Sequence, residues 1–367
     1  MIRSGVTMRR YYIAVLPGDG IGSEVIPAAV RALEASAEAG GEFSVELETF
    51  GWGSEWYLRN GTMMPPDGIQ VLERAGFDAI LLGPIGDPRV PDHITLWGLL
   101  LPIRQQFDQY VNLRPMRLLP GVTSPLRTKG PSDIDMVCIR ENTEGEYSGA
   151  GGRVHRGSPH EVAIQEIVFT RSGTERVIRY AFEYAQTHGR KKVTSATKSN
   201  AMQHNMVFWD DVFRSVASAY AGIEHEQQLV DSLAARFVAK PETLDVIVAS
   251  NLFGDILTDL GAAISGSMGI APSANLNPER KYPSLFQAIH GSAPDISGRG
   301  IANPLGTVWS VQLMLDHLGE KKAAAALMAA IETLMREGRV RTPDLGGRAT
   351  TKEMTDALCD LVRATPV

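Results

Sequence analysis

The chain has 367 residues but only two cysteines, Cys138 and Cys359, each within an apolar run. Two such cysteines supply neither a disulfide framework nor a cysteine metal site, and we expect both to be small buried side chains. No segment approaches the roughly eighteen uninterrupted apolar residues of a membrane span. Residues 1–12 also lack the apolar core of a signal peptide. These absences lead us to expect a cytoplasmic protein with no membrane partner.

The chain also lacks a large excess of charge of one sign, because 36 Lys and Arg stand against 42 Asp and Glu, a net charge of −6. A mildly acidic chain of this kind argues against a general nucleic-acid-binding protein. We find no internal repeat and no low-complexity linker. The length exceeds what one simple core usually covers, so we expect two domains.

Apolar strands alternate with amphipathic helices along the chain. Residues 12–16 and 77–83 predict buried strands, and residues 23–39 predict a helix. This alternation predicts an α/β fold with a mostly parallel sheet and helices on both faces. Residues 153–170 differ, since they alternate between glycine-rich flanks without a helical signal. We interpret them as a β-arm that pairs with another subunit.

The segment 245–259 carries the clearest sign of chemistry. Residues 246–249 predict a buried strand, followed by a helix whose first turn is expected to carry Asp255 and Asp259. Their spacing of four places both carboxylates on one helical face. Hard oxygen ligands of this kind suit Mg²⁺ or Mn²⁺. The alternative is a helix N-terminal charge at Asp255 beside a solvated Asp259.

A glycine-rich loop at residues 17–22 follows the first predicted strand. It invites a Rossmann interpretation, but the fingerprint G-x-G-x-x-G requires its last small residue at Ser23, whereas the glycine stands at Gly22. Glu46 and Glu48 are only roughly placed to bind a ribose. The loop therefore does not predict a Rossmann fold, although its glycines would let the backbone approach a ligand closely.

Seven segments stand out as motifs: residues 17–22, 112–115, 139–145, 251–257, 290–296, 301–304 and 341–347. Together they resemble the β-decarboxylating dehydrogenases of 2-hydroxy acids, a family that includes isocitrate, 3-isopropylmalate and tartrate/D-malate dehydrogenases. Residues 91–104, 195–200 and 271–280 look most like the tartrate/D-malate branch. The resemblance implies a two-domain α/β/α fold that is not Rossmann. It assigns residues 1–109 and 266–367 to a cofactor-side domain, and residues 110–265 to a domain for substrate, metal and dimerisation with a β-arm near 150–170.

The resemblance implies that three arginines clamp the substrate carboxylate that later leaves: Arg104, Arg114 and Arg140. A guanidinium suits this role because it binds a carboxylate through two hydrogen bonds and stays charged. Taken singly, an arginine is more often a surface residue, but all three lie in segments that match the family.

The same resemblance implies three metal ligands: Asp231, Asp255 and Asp259. Lys198 matches the base that acts on the 2-hydroxyl, through water. Asp231 and Lys198 would come from the partner subunit, which implies a homodimer with shared active sites. Tyr147 matches the tyrosine that protonates the carbon left by CO₂, and its alternative is a loop anchor. K⁺ is a further candidate cofactor.

Residues that match the family's cofactor site are Gly83, Asn200, His290, Gly291, Ser292, Ala293, Pro294, Asp295, Ile296 and Asn303. Small residues around His290 would allow close approach to the adenosine half of a dinucleotide. A carboxylate at Asp295 would accept hydrogen bonds from both ribose hydroxyls and repel a 2′-phosphate. NAD is therefore expected rather than NADP.

The substrate interpretation rests on Trp97 and the apolar residues before Arg104. No polar group is present there to receive a third carboxylate, and burying an unpaired carboxylate is costly, so isocitrate is disfavoured. Trp97 could fill the space of a C3 substituent, which favours D-malate or tartrate; its alternative is a core tryptophan. Competing functions are 3-isopropylmalate dehydrogenase, a non-catalytic regulatory homologue and a metal-dependent phosphate-ester hydrolase.

Overall fold

Two compact units share the chain, and the computed structural model describes residues 8–40 and 42–365 of it. The first unit comprises the described residues of three segments, Met1–Gln109, Leu118–Pro125 and Ser265–Val367. The second unit comprises Tyr110–Arg117 and Leu126–Ile264. The signal-peptide interpretation concerned residues 1–12, of which 1–7 lie outside the described residues.

The strands are, in chain order, β1 (Arg9–Leu16), β2 (Phe43–Thr49), β3 (Ala79–Leu82), β4 (Val111–Arg117), β5 (Asp135–Glu141), β6 (Gly151–Val154), β7 (Val162–Gln165), β8 (Lys192–Thr197), β9 (Glu224–Leu229), β10 (Val246–Ala249), β11 (Pro272–Leu276) and β12 (Ser284–Ala288). The helices are α1 (Gly22–Gly40), α2 (Ser54–Asn60), α3 (Gly68–Ala75), α4 (Asp92–Thr95), α5 (Leu101–Gln106), α6 (Arg171–Thr187), α7 (Asn205–Ala217), α8 (Val230–Ala239), α9 (Asn251–Ile264), α10 (Leu305–Leu318), α11 (Lys321–Glu337) and α12 (Thr351–Ala364). A π-helical turn, Leu96–Leu100, joins α4 to α5. None of the described helices is both long and apolar enough to cross a membrane.

The first unit is built on strands in the order β2–β1–β3–β12–β11. β1 is parallel to β2 and β3, and β12 is parallel to β3, whereas β11 is antiparallel to β12. β3 is buried along its whole length, as is typical of a strand covered on both faces. The predicted α/β class is confirmed, with the antiparallel β11 as an exception to the parallel pattern. Cys359, on α12, is a buried free thiol.

The second unit is built on strands in the order β4–β5–β10–β8–β9. β10 is parallel to both β5 and β8, and β8 is parallel to β9. The carboxyl ends of these strands therefore lie along one edge of the sheet, where α/β proteins usually bind ligands. β4 runs antiparallel to β5 and pairs Arg114 with Cys138 and Asn112 with Arg140. Cys138 is a buried free thiol, as expected.

A two-stranded hairpin of β6 and β7 occupies part of the segment predicted as a β-arm. Every residue of both strands is exposed, including the aliphatic side chains of Val154, Val162 and Ile164. An isolated hairpin of two strands is marginally stable in water. Its predicted pairing with another subunit remains a prediction.

The core of the first unit generates a stability prediction. Leu285 is fully buried in a cluster with Leu82 and Phe107. Leu285→Ala removes apolar contacts and leaves a cavity, so we expect a loss of about 2–5 kcal/mol. The matched control is Leu58→Ala, at an exposed leucine of α2, which should change stability by less than about 0.5 kcal/mol. Urea unfolding followed by circular dichroism measures both, and equal losses would contradict this assignment of the core.

Candidate active site

Two buried arginines of the second unit meet at one carboxylate. The side chains of Arg114 and Arg140 are only 5% and 1% exposed. Arg114 Nη1 lies 3.2 Å from Asp255 Oδ1, and Arg140 Nη1 donates to the same oxygen. Arg114 Nη1 also donates to Thr258 Oγ1 at 2.5 Å. Burial, together with the charge of Arg140, lowers the pKa of Arg114 to about 10, so it still carries its charge at neutral pH.

Arg140 is held from a second side by the start of α9. Asn251 Oδ1 accepts hydrogen bonds from Arg140 Nε at 3.1 Å and from Nη2 at 2.7 Å. Gly254 allows the arginine to lie this close to the helix, because a Cβ there would come within 2.6 Å of Arg140 Cγ. The sequence motif contained both residues, but nothing in the pattern indicated which side chain they would contact.

Tyr147 reaches the same carboxylate from the loop after β5. Its hydroxyl donates to Asp255 Oδ2 at 3.0 Å, and the guanidinium carbon of Arg140 lies 5.6 Å from its ring centroid. Desolvation by burial, followed by the charge of Asp255, raises the pKa of Tyr147. The phenol therefore keeps its proton at neutral pH and can act as a proton donor.

The loop that carries Tyr147 is fixed by two carboxylates that the sequence analysis did not single out. Glu146 is buried and accepts from Ser250 Oγ at 2.9 Å and from Leu252 N–H at 3.0 Å, at the start of α9. Glu141 is buried and accepts from the backbone N–H of Thr143 at 2.8 Å. Burial raises the pKa of Glu141 to about 7. The sequence carries no signal for the role of Glu146, because its partners at the start of α9 lie about 100 residues further along the chain.

The two predicted metal ligands of α9 lie one turn apart on the same helix. The helix begins at Asn251 and has no acidic residue in its first turn, so the expectation that its first turn carries Asp255 and Asp259 is wrong. Asp255 is partly exposed and Asp259 is exposed. Loss of part of its hydration raises the pKa of Asp259, and the positive charge of Arg114 opposes that effect.

The donor chemistry of this pair fits a divalent cation, because both groups are hard oxygen donors. Within residues 8–40 and 42–365, however, no group of three or more His, Cys, Asp or Glu side chains could hold a metal ion. If the pair holds a divalent cation, further oxygen ligands have to come from outside this set of residues.

Lys198 and Asp231 form a separate pair in the second unit. Lys198 follows β8, Asp231 lies in the first turn of α8, and Lys198 Nζ is 2.7 Å from Asp231 Oδ1. The side chain of Asp231 is 65% exposed. The hydrogen bond from Lys198 lowers the pKa of Asp231. The predicted site residues of the second unit thus fall into two groups, an arginine group around Asp255 and the Lys198–Asp231 pair.

The predicted cofactor segment belongs to the first unit and contains a buried polar atom without a partner. His290 Nε2 has no hydrogen-bond partner among the described residues, whereas Nδ1 lies 3.0 Å from the carbonyl oxygen of Gly291. Desolvation lowers the pKa of His290, so the ring is neutral at neutral pH. Asp295 is exposed, and Ala293 has a left-handed backbone with φ of 42°. The segment therefore offers a ligand one neutral ring nitrogen at His290 and, five residues further along the chain, one exposed carboxylate at Asp295.

The glycine loop packs directly on this segment. Ile21 N–H donates to the carbonyl oxygen of Ser292 at 2.9 Å. A Cβ at Gly20, whose φ is 54°, would come within 2.1 Å of that same oxygen. Asp19 is buried and accepts from Ser54 N–H and Gly86 N–H, both at 2.8 Å, which ties the loop to the segment that begins at Gly83. Asp19 lies in the glycine-rich motif of residues 17–22, but the motif does not indicate that its carboxylate binds these two backbone N–H groups.

The remaining predicted substrate and cofactor residues differ in how exposed they are and in whether they bind other side chains. Trp97 lies in the π-helical turn and is 42% exposed, so the alternative of a core tryptophan is wrong. Arg104, on α5 of the first unit, is buried. Asn303 donates to Asp344 Oδ2 at 2.9 Å and accepts from Leu305 N–H at 3.0 Å, so both ends of its amide are engaged within the chain. Asn200 is exposed.

Comparison with known proteins identifies the family to which this fold and these site residues belong. A family model described as isocitrate/isopropylmalate dehydrogenase matches residues 12–358. The chain belongs to this family and is an enzyme of its decarboxylating dehydrogenase type.

Individual relatives are similar over nearly the full length. The chain is 54% identical over 355 residues to a probable tartrate dehydrogenase/decarboxylase of Agrobacterium vitis, with 97% of each chain covered. It is 54% identical over 362 residues to a D-malate dehydrogenase (decarboxylating) of Escherichia coli, with 97% of this chain and 99% of the relative covered. The crystal structure of isocitrate dehydrogenase from Methylococcus capsulatus aligns with a TM-score of 0.86 at 34% identity, covering 96% and 99% of the two chains. These findings confirm the predicted family, branch and fold class.

Close packing of Arg140 on α9 generates the second prediction. Gly254→Ala places a methyl group against the arginine side chain, so we expect a loss of stability of about 1–3 kcal/mol and displacement of Arg140 from Asp255. Gly222→Ala is the matched control, since a Cβ at Gly222 meets no atom within 4 Å. Urea unfolding measures the first effect and dehydrogenase activity the second. Normal activity in Gly254→Ala would show that the position of Arg140 does not depend on this contact.

Proposed function

We propose that this protein oxidises D-malate at C2 with NAD⁺ and releases the β-carboxylate as CO₂, giving pyruvate, and that it also oxidises tartrate. The observation that carries this proposal is the buried arginine group, Arg114 and Arg140 on Asp255, in a chain 54% identical to relatives named for these two substrates. Two buried guanidinium groups suit the recognition of a substrate carboxylate.

Asp255 and Asp259 would hold a divalent cation, Mn²⁺ or Mg²⁺, together with the partner subunit's Asp231. NAD would bind at residues 290–296. When bound, the cation stabilises negative charge on the C2 oxygen and NAD⁺ accepts the hydride from C2. Carboxylate oxygens are suitable ligands for either cation. K⁺ is a further candidate cofactor.

The chain's own side chains would perform the remaining steps. Arg114 and Arg140 bind the carboxylate that leaves and hold its bond to C3 in a fixed orientation. The partner subunit's Lys198 accepts the proton of the 2-hydroxyl through water. Tyr147 then donates its phenolic proton to C3 after CO₂ departs. The raised pKa of Tyr147 supports this last role, because the phenol is protonated when it is needed.

The choice of NAD over NADP would rest on Asp295. Its carboxylate is exposed on the loop after His290 and can accept hydrogen bonds from both ribose hydroxyls. The 2′-phosphate of NADP would bring negative charge to the same place and be repelled.

The choice of a four-carbon substrate would rest on Trp97. Its side chain is exposed in the isolated chain and thus available to a ligand, whereas Leu100 and Leu101 are buried. An indole filling the space beside C3 leaves room for hydrogen or hydroxyl but not for an isopropyl group. 3-Isopropylmalate is therefore the main competing substrate.

We further propose that the enzyme is a homodimer whose active sites combine residues of both copies. Lys198 and Asp231 pair with each other, whereas no third acidic ligand joins Asp255 and Asp259 among the described residues. A second copy can supply the missing ligand and base. The exposed aliphatic side chains of β6 and β7 suit burial in such an interface.

The substrate proposal is tested by NADH formation with purified enzyme, Mn²⁺ and K⁺. We expect kcat/KM for D-malate or L-tartrate to exceed that for 3-isopropylmalate by at least about tenfold, and NADP⁺ to be much the poorer oxidant. Trp97→Ala should raise the relative kcat/KM for 3-isopropylmalate by opening the C3 space. A preference for 3-isopropylmalate in the wild type contradicts the pocket argument. No NADH with any of the three acids favours a regulatory homologue.

Shared active sites predict complementation between two inactive variants. Lys198→Ala and Asp255→Asn should each abolish activity as homodimers. In a heterodimer of the two, one site would combine an intact Asp255 with an intact Lys198, so co-refolding an equal mixture should restore about one quarter of wild-type activity. Absence of recovery, with heterodimers verified by differently tagged copies, would mean that each site lies within one chain.

A further inference from the structure

Asn251 connects the buried arginine to the loop that carries Tyr147. Its side chain is buried at the first residue of α9. The amide oxygen accepts from Arg140 Nε and Nη2, and the amide nitrogen donates to the carbonyl oxygen of Glu144 at 3.0 Å. Both ends of the amide are therefore used, one on the arginine and one on the loop.

The two bonds to Arg140 define which part of the guanidinium remains for a ligand. Nε and Nη2 form one edge of the planar group, and a single neutral oxygen occupies that edge. Nη1 donates to Asp255. A guanidinium has five N–H groups, so one N–H on Nη1 and one on Nη2 have no partner within residues 8–40 and 42–365. Because Asn251 occupies the Nε–Nη2 edge, the remaining N–H of Nη2 lies on the edge that it shares with Nη1, and a carboxylate can bind there.

The loop on the other side of Asn251 is held at two points of one residue. The carbonyl oxygen of Glu144 accepts from Asn251, and its carboxylate accepts from Thr170 N–H at 2.9 Å and from Thr170 Oγ1 at 2.8 Å. Gly173 leaves space for that carboxylate, because a Cβ there would come within 2.5 Å of it. Tyr147 lies three residues beyond this anchor, so a displacement of Glu144 would move Tyr147 relative to Arg140.

We propose that Asn251 is a positioning residue that orients Arg140 for a dianionic 2-hydroxy acid without neutralising its charge, and that it fixes the distance between Arg140 and Tyr147. This inference rests on the proposed function, since it takes Arg140 as a ligand of the substrate carboxylate. The chemistry explains why an amide occupies this position. A carboxylate would hold the arginine equally well but would compensate its charge, and it would lack the N–H that binds Glu144.

The decisive comparison is between Asn251→Asp and Asn251→Ala in the full-length enzyme. Asn251→Asp keeps an acceptor for Arg140 but adds a negative charge, so we expect KM for D-malate to rise at least about tenfold. Asn251→Ala frees Arg140 and the loop, so kcat should fall at least about tenfold as well. KM for NAD⁺ should change less than about twofold in both, because the predicted cofactor residues His290 and Asp295 belong to the first unit and Asn251 belongs to the second.

Ser250→Ala is the matched control. It removes a buried hydrogen bond to Glu146 at the neighbouring residue but leaves both partners of Arg140 intact. We expect its KM for D-malate to stay within about twofold of the wild type. An equal rise in KM for Ser250→Ala would reduce Asn251 to a general structural role and overturn the proposal.

Further outcomes separate this inference from the proposed function. Wild-type KM in Asn251→Asp, in a folded enzyme, would overturn the argument about charge, and wild-type KM in Asn251→Ala would overturn the positioning role. If Asn251→Ala fails to fold, Asn251→Ser provides the second variant.

A binding experiment distinguishes failure of the proposed function from failure of this inference. If the wild type forms no NADH, the proposed function has failed, and calorimetry of D-malate binding with Mn²⁺ but without NAD⁺ then measures the effect of Asn251 on substrate affinity directly. At least tenfold weaker binding by Asn251→Asp would support the inference, and no binding by the wild type would overturn it.

Discussion

The contact of Arg114 and Arg140 with the single carboxylate of Asp255 constrains the whole second unit. Removing two guanidinium groups from water is costly unless their N–H groups and charges are satisfied. The unit meets this requirement with three side chains of α9: Asn251, Asp255 and Thr258. Because these side chains all belong to one helix, the position of α9 against β4 and β5 determines whether the arginines can remain buried.

The direction of the strands explains how residues so far apart in sequence meet. β5, β8 and β10 are parallel, so the segments that follow them leave from the same edge of the sheet. Arg140 lies near the end of β5, Lys198 follows β8, and α9 follows β10. In the first unit, the glycine loop after β1 and the loop after β12 likewise meet, where Ile21 binds Ser292. In both units parallel strands bring together loops that the sequence separates by many residues.

The sequence predicted the strands, the helices and the arginines and aspartates of the site, but not the supporting side chains, charged or neutral, that hold them in place. Arg114, Arg140 and Asp255 could be predicted because they stand in motifs that resemble a known family. The helix start at Asn251 was missed by about one turn, because the polar pair Ser250 and Asn251 after the strand is typical of a turn. Asp19, Glu146 and Asn251 have roles set by partners distant in sequence, and such contacts leave no periodicity to read.

The division of charged residues into two groups has a physical consequence for assembly. In a single copy, Lys198 and Asp231 satisfy each other while Arg114 and Arg140 are satisfied by Asp255. Neither group leaves a buried charge without a partner, so an isolated copy is not forced to unfold for electrostatic reasons. Asp259 and Asp231 are nevertheless both exposed, so Asp259 of one copy and Asp231 of the other would lose little hydration by binding the same cation. If the sites are shared, as we propose, assembly would exchange the Lys198–Asp231 pair for contacts with substrate and cation, and the reactive arrangement would exist only in the dimer.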